Sequence, residues 1–251
     1  MSHHFYKMML PQAILSLIAL VVLIFDFHWI YVLYSILGFY FLGVFGNTIG
    51  FHRYLTHQSF EVSKFWHYTF LVLGSLTGQG SAIFWTALHL HHHRNSDNEK
   101  DIHSPIKGFW ASTWGWQIKG DFDTTGFIAP RKLYRDPVIK FLHDHYYKCY
   151  WAVALLFFMI DPYFFLFFLC FGGYFLVSLG DNLSNYCFHN INFGYRTYDT
   201  KDNSRNVPLI SYIALGAGWH NNHHNSPASY RFGEKKSEID IGAWIVERIK
   251  K

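Results

Sequence analysis

Charge is scarce in this chain of 251 residues: Asp, Glu, Lys and Arg make up 15% of it, against about 25% in ordinary soluble domains. The scarcity is uneven. No Lys or Arg occurs between residues 8 and 52 or between 149 and 195, and such stretches cannot coat a water-soluble domain. Cysteine is scarcer still. Cys149, Cys170 and Cys187 form no C-x-x-C pair and lie in or beside apolar stretches, which argues against a disulfide framework or a thiolate metal site. No cleavable signal peptide is expected either. The apolar run after MSHHFYKMMLPQ is too long for an h-region, and no small-residue cleavage site precedes the return of charge.

What is present is apolar and aromatic: 51% hydrophobic residues and 21% Phe, Trp and Tyr. The composition points to an all-α integral membrane protein. A span needs about 20 residues, and the apolar runs predict four transmembrane helices in two hairpins. Their expected ranges are 10–27 and 30–51, turning at Asp26 and His28, then 147–160 and 162–183, turning at Asp161-Pro162. Of the 21 Lys and Arg, one (Lys7) precedes the first hairpin, eleven fall from Arg53 to Lys148 and nine from Arg196 to the end. By the positive-inside rule both termini and segments 52–146 and 184–251 are cytoplasmic. The expectation is a single membrane domain over 1–251 with a cytoplasmic helical cap. Phe65 to Trp85 begins apolar but carries Gly74, Gly78 and Gly80. Crossing there would separate Arg53 from Arg94, so an interfacial or re-entrant segment is predicted.

Histidine is the abundant exception, with 17 in the chain. His52 and His57 form H-R-Y-L-T-H; His89, His92 and His93 form H-L-H-H-H; His220, His223 and His224 form H-N-N-H-H. Positions i, i+3 and i+4 of a helix fall within an arc of about 100°, so each H-x-x-H-H box can aim three imidazoles at one centre. The five-residue spacing of the first box shares a face less well, which places His57 at a helix end. Asn185 and His189 follow at i and i+4 just beyond the last span. All these groups emerge on one predicted side of the membrane. Nine imidazoles exceed the four ligands that zinc takes; two metals with open positions fit the count, and imidazole suits iron. With no Cys and no carboxylate at ligand spacing, an iron–sulfur centre and a carboxylate-bridged di-iron bundle are disfavoured.

G-F-H-R-Y-L-T-H, H-x-x-H-H before R-N-S-D and H-S-P, and G-W-H-N-N-H-H resemble the histidine boxes of integral-membrane fatty acyl desaturases of the stearoyl-CoA type. N-Y-C-F-H-N-I-N-F-G-Y-R-T-Y-D (185–199) resembles the same branch, and the likeness runs from about residue 36 to 227. It implies a non-haem di-iron site ligated by His52, His57, His89, His92, His93, His189, His220, His223 and His224, with Asn185 reaching a metal through water. It further implies an oxygen-dependent desaturase that introduces a cis double bond into a saturated acyl chain, an acyl-CoA at the delta-9 position. Dioxygen would be reduced to water by the two substrate hydrogens and two further electrons.

The sequence departs from the family pattern in places. Gly216-Ala217-Gly218 replaces the family's Gly-Glu-Gly, and Gln58 stands where a basic residue is common. No His-Pro-Gly-Gly haem motif is present, so electrons are expected from a separate donor, a b-type cytochrome or ferredoxin-like protein. The acyl group could arrive on CoA, carrier protein or lipid, and no nucleic-acid partner is indicated. A regular helix places Phe41 and Phe45 within about 20° of the His52 face, so these two, flanked by Tyr40 and Val44, are the expected tunnel end. Trp110, Trp114 and Trp116 read as an interfacial belt. His3, His4, His103 and His143 lack partners at ligand spacing, and His91 faces away from its box. Two other functions share such histidines: a membrane hydroxylase or alkane oxygenase, and a metal transporter. The second lacks the ionisable residues that an ion pathway through the spans would need.

Overall fold

In a bilayer a chain must satisfy its own backbone polar groups, and for long apolar runs helices do so within the segment. The computed structural model, which describes residues 3–120 and 124–251, is accordingly helical; among the described residues there are isolated bridges but no β-strand. Three helices are long and apolar enough to cross a membrane: α1 (Phe5–Phe25), α2 (Trp29–Thr56) and, later in the chain, Pro162–Phe188. Between α2 and that last span come α3 (Lys64–Ser75), α4 (Ala82–Asn95), α5 (Pro137–Asp144) and α6 (Tyr146–Ile160), which is apolar but only 15 residues long. The Pro162–Phe188 span is α7; α8 (His220–Asn225) and α9 (Ile241–Ile249) follow. Both α2 and α7 run five residues past the expected ends of their apolar runs. Helical backbone needs no apolar side chain to continue, and these polar extensions carry His52 and Asn185 beyond the bundle.

Small residues set the bundle's spacing. A Cβ on Gly38 of α2 would lie 2.0 Å from the Phe168 carbonyl oxygen of α7, and one on Gly172 2.2 Å from that of Ser35, so only glycine lets these backbones approach. Below that contact, toward the start of α2, the Tyr31 and Phe167 rings stack at 4.4 Å. Gln12 of α1 donates to the Tyr150 hydroxyl (2.8 Å), and Tyr34 donates to Asp161 (3.3 Å). Ile24, Phe25, Met159 and Ile160 at the far helix ends are 64–84% exposed, an apolar surface suited to lipid.

The 65–85 segment turns back on itself. Going up α2, Gly46 meets Gly74, Gly50 meets Phe70, and Tyr54 bonds His67 at 2.9 Å, so α3 runs antiparallel to α2. Its 12 residues span about 18 Å, too short for a crossing. Gly78 (φ +77°) and Gly80 (φ +106°) turn the chain, and a Cβ on Gly78 would meet the Tyr174 ring at 2.5 Å. From there α4 climbs back and delivers the second histidine box beside the first.

Arg53, next to His52, ties α2 to the C-terminal segment. Its side chain and that of Asp240 are both fully buried and 3.0 Å apart. The guanidinium also donates to the Tyr230 carbonyl (2.7 Å) and lies 3.9 Å from the Phe232 ring centroid. Asp240 in turn caps α9 by accepting from Ala243 N (2.9 Å). Removing one partner of a buried pair leaves an uncompensated charge, so Asp240→Ala should cost about 3–5 kcal/mol. Thermal unfolding in detergent reads this directly; an unchanged midpoint would mean that the pair contributes nothing to stability.

Candidate metal centre

The nine predicted histidines lie together where α2, α4 and α7 end and α8 begins, and they sort into two groups. One holds His52, His57, His89, His93 and His223; the other holds His92, His189, His220 and His224. Within each group one nitrogen per ring lies within 4.8 Å of all the others. In the first group the Nε2 atoms of His52 and His223 are 3.0 Å apart, those of His57 and His89 3.1 Å, and those of His89 and His93 2.9 Å. In the second, His189 and His220 approach to 3.0 Å, and the buried Nε2 of His224 has no partner.

The expectation that each H-x-x-H-H box aims at one centre is corrected here. On α4, His89 and His93 face one group and His92 the other; on α8, His220 and His224 face the second group and His223 the first. Residues i and i+4 differ by about 40° around a helix, whereas i+3 falls about 60° to the other side. Each box therefore straddles two centres. The first box depends on a different helical geometry. From Phe39 to Thr56, α2 is a wide helix closed by i→i+5 hydrogen bonds, and His57 N reaches His52 O at 3.1 Å. Residues five apart thus stack, and the His52 and His57 rings are 4.9 Å apart.

Charge explains how so many rings pack together. Burial, reinforced by neighbouring imidazoles, lowers His89, His93, His220 and His223 well below the usual histidine range. His57 falls to about 3, and His224 to about 4 despite the Asp202 carboxylate beside it. These rings are neutral and present lone pairs, the form that binds metal. Three carboxylates that sequence reasoning missed hold the outer nitrogens of the second group. Asp101 lies 2.9 Å from His92 Nδ1, Asp97 3.0 Å from His189 Nδ1, and Asp202 2.6 Å from His224 Nδ1. Burial pushes the Asp101 carboxyl up, but His103 and His92 outweigh it and hold the group well below its usual range. The signal was available in principle, since metal-bound histidines generally give their second N–H to a carboxylate, and Asp97 stands four residues after His93. His103, read as partnerless, lies 3.0 Å from Asp101 Oδ1. His91 turns away, its Nε2 2.9 Å from the Lys100 carbonyl.

The two asparagines of H-N-N-H-H hold α8 in place. Asn221 accepts from the Thr197 and Tyr198 amides (2.7 and 2.8 Å), and Asn222 donates to the Phe232 carbonyl and to Glu238 (both 2.8 Å). A helix of six residues has too few internal bonds to persist alone, and these side chains supply the rest.

A cavity of about 570 Å³ passes the histidines. One face of α4 (Ser81, Phe84, Trp85, Leu88, His89, His92) lines it, opposite Asn47, Thr48 and His52. Trp85 stacks on His89 at 5.0 Å and donates to Gln79 (3.0 Å), while Gln79 and Asn47 both donate to Asp181 (2.6 and 2.9 Å). None of the four residues expected at the tunnel end lines this cavity. Tyr40 and Phe41 are 36% and 52% exposed, Val44 is buried, and Phe45 packs on Trp66 and Phe70. The wide geometry of α2 is the reason: each residue advances by less than the 100° of a regular helix, so Thr48 and Asn47, four and five before His52, take the place assigned to Phe45. Asn185, Trp116 and Ala217 also line the cavity, so Trp116 is more than a belt residue. The Asn185 amide donates to the His103 carbonyl at 2.8 Å.

The two groups suit metal ions. Adjacent nitrogens 2.9–3.1 Å apart match ligands at right angles about 2.1 Å from a shared centre, and the far nitrogens that bear partners point outward to carboxylates. With that geometry in place, the class is clear: a helical, histidine-rich protein whose residues 26–232 match the model of the fatty acid desaturase family. The chain belongs to that family. It is 34% identical over 227 residues to the sn-1 stearoyl-lipid 9-desaturase of Anabaena variabilis, covering 89% of this chain and 82% of that protein. It is 35% identical to delta-9 acyl-lipid desaturase 1 of Arabidopsis thaliana (82% of this chain, 68% of that one). It is 34% identical to the icosanoyl-CoA 5-desaturase of Limnanthes douglasii (89% and 64%). These relatives are oxidoreductases acting on acyl chains, and this protein is an enzyme of their kind.

Asp202 belongs to neither histidine group, though it converges with Asp97 and His189, so its removal tests what the carboxylates around the second group contribute. Asp202→Ala should weaken metal retention by about 10–100-fold, measured by chelator competition on the purified protein. Retention equal to that of the parent would show that His224 needs no partner.

Proposed function

We propose that the protein is an oxygen-dependent acyl desaturase that places a cis double bond at the delta-9 position of a saturated chain. Two irons would be held by the histidine groups, five imidazoles on one and four on the other, with Asn185 reaching the iron of the four-histidine group through water. The observation that carries this reading is the division of all nine histidines into two convergent sets; the names of the relatives support the delta-9 position. A pair of irons, when bound, would supply the activation of dioxygen that oxidising an unactivated methylene requires, chemistry that no side chain can supply. The protein's own part is positional. Asp97, Asp101 and Asp202 orient three rings, Trp85 braces His89, and the cavity presents the acyl chain beside both groups while excluding bulk water.

The same reading makes α6 a fourth span, pairing with α7 as α1 pairs with α2. Both termini and the histidines then lie in the cytoplasm, in a multi-pass protein. Cysteines introduced at residues 120 and 245 should react only with a reagent applied from the cytoplasmic side; labelling of either from outside would overturn the topology. The electron donor is a separate acidic redox protein, a b-type cytochrome or ferredoxin-like, drawn to the basic cytoplasmic face. Turnover limited by the donor should therefore slow as salt rises, and salt-insensitive turnover would count against electrostatic docking.

Expression in a host lacking unsaturated fatty acids tests the chemistry, with products located by mass spectrometry. The expected product is a delta-9 cis-monoene; a hydroxylated chain would indicate an oxygenase instead. Purified protein should contain about two irons per chain, one for each four-to-five-ligand group. Alanine at His92, His189 or His223 should abolish activity, whereas the exposed His145 should tolerate it. Stoichiometric zinc in an active preparation, or an active His189→Ala variant, would defeat the di-iron assignment.

A further inference from the structure

Two of the three carboxylates around the four-histidine group converge on a point of their own. Asp97, Asp202 and His189 each offer one ligand atom, and these atoms lie within 4.8 Å of one another, close enough for a divalent cation to bridge them. They stand on the flank away from the cavity, which is lined by His92 and His220 but not by His189 or His224. Exposure rises outward there. The His189 and His224 side chains are 0% and 2% exposed, Asp97 6% and Asp202 11%, so Asp202 is the most open of the four to solvent.

Orienting rings accounts for every oxygen of Asp101 and Asp202 but leaves one of Asp97 unused. Asp101 gives one oxygen to His92 and the other to His103 (2.9 and 3.0 Å). Asp202 gives Oδ2 to His224, while its Oδ1 accepts from the Thr200 hydroxyl (2.8 Å) and the Ser204 amide (3.0 Å). Asp97 Oδ2 accepts from the Asn203 amide (2.7 Å) and lies 3.0 Å from His189 Nδ1. Its Oδ1 is buried and has no hydrogen-bond partner among the described residues. A buried carboxylate oxygen without a partner is unfavourable, and a cation would satisfy it.

We propose that Asp97, Asp202 and the outer nitrogen of His189 form a divalent-cation site that captures the ion destined for the four-histidine group. The proposal rests on the di-iron reading and goes beyond it by assigning a separate site and an order of loading. Carboxylate oxygens suit a cation that still carries water, whereas clustered imidazoles bind iron and its neighbours in the series more firmly, so transfer inward is downhill. A neutral imidazole has one bare nitrogen. His189 therefore serves the outer site through Nδ1 or the inner group through Nε2, which lies 3.0 Å from His220, and the two positions are alternatives for a single ion. The five-histidine group shares no residue with the outer site, so only one of the two ions loads through it.

The test uses the full chain in detergent, stripped of metal by a chelator and then mixed rapidly with Co2+, whose visible absorption reports each histidine-bound ion. Asp97→Asn keeps an oxygen for His189 and the Asn203 amide and puts an amide nitrogen where Oδ1 stood. Asparagine also accepts the φ of 59° found there. In this variant half of the absorbance change should develop about tenfold more slowly and the other half at the parent's rate. The rate at which excess chelator removes the bound ions should not change. Uptake identical to the parent's would overturn the proposal. So would parental uptake with faster loss, because Asp97 would then only orient His189. A second measurement needs no variant: millimolar Ca2+, which takes oxygen ligands, should slow the same half of Co2+ uptake in the unaltered chain, and uptake indifferent to Ca2+ would also overturn the site. One ion per chain, taken up in a phase that Asp97→Asn slows, would defeat the two-iron assignment and leave the capture site standing.

Discussion

Nine imidazoles can share so small a volume only if they are uncharged. A protonated ring among eight others would be both desolvated and repelled, and burial lowers His57, His89, His93, His220, His223 and His224 below the usual histidine range. The remaining design follows from that constraint. Carboxylates are kept to the outer nitrogens, where they orient rings without entering the centre. Arg53, the permanent cation next to His52, is neutralised by Asp240.

The membrane bundle determines where that centre can be. Glycine contacts draw α2 against α7, and the α3–turn–α4 excursion folds back along α2 to the level of Gly46 before returning. Because α4 climbs from that depth to the histidines, one of its faces lines the cavity from Phe84 to His92. The cavity is thus a product of the same turn that keeps Arg53 and Arg94 at one end of the molecule, with Gly78 and Gly80 supplying the backbone angles.

Much of this was legible in the residues. Stretches without basic residues marked the long helices, and i, i+3, i+4 spacing marked six of the nine clustered histidines before any contact was known; His52 and His57, five apart, and His189, four after Asn185, were marked by their place at the ends of the apolar runs. What stayed hidden depends on angles and on distant segments. The wide geometry of α2 has no clear mark in its composition, so a projection at 100° per residue pointed to Phe41 and Phe45 where Thr48 and Asn47 stand. The division of each box between two centres requires knowing where the neighbouring helices lie. Asp202 reaches His224 from a loop, and Asp97 adopts φ 59° to meet both His189 and the Asn203 amide. No local periodicity announces such contacts.

Because α4 and α8 each contribute to both histidine groups, neither group can be completed while the other is absent. The first needs α2, α4 and α8 together; the second needs α4, α8 and the end of α7. The six-residue α8 is the shared clasp, and its position depends on Asn206, Phe232 and Glu238, residues outside every histidine motif. The centre is therefore complete only with the C-terminal segment closed over the helix ends. A chain interrupted before Phe232 would carry all nine histidines and still lack the geometry that makes them a site.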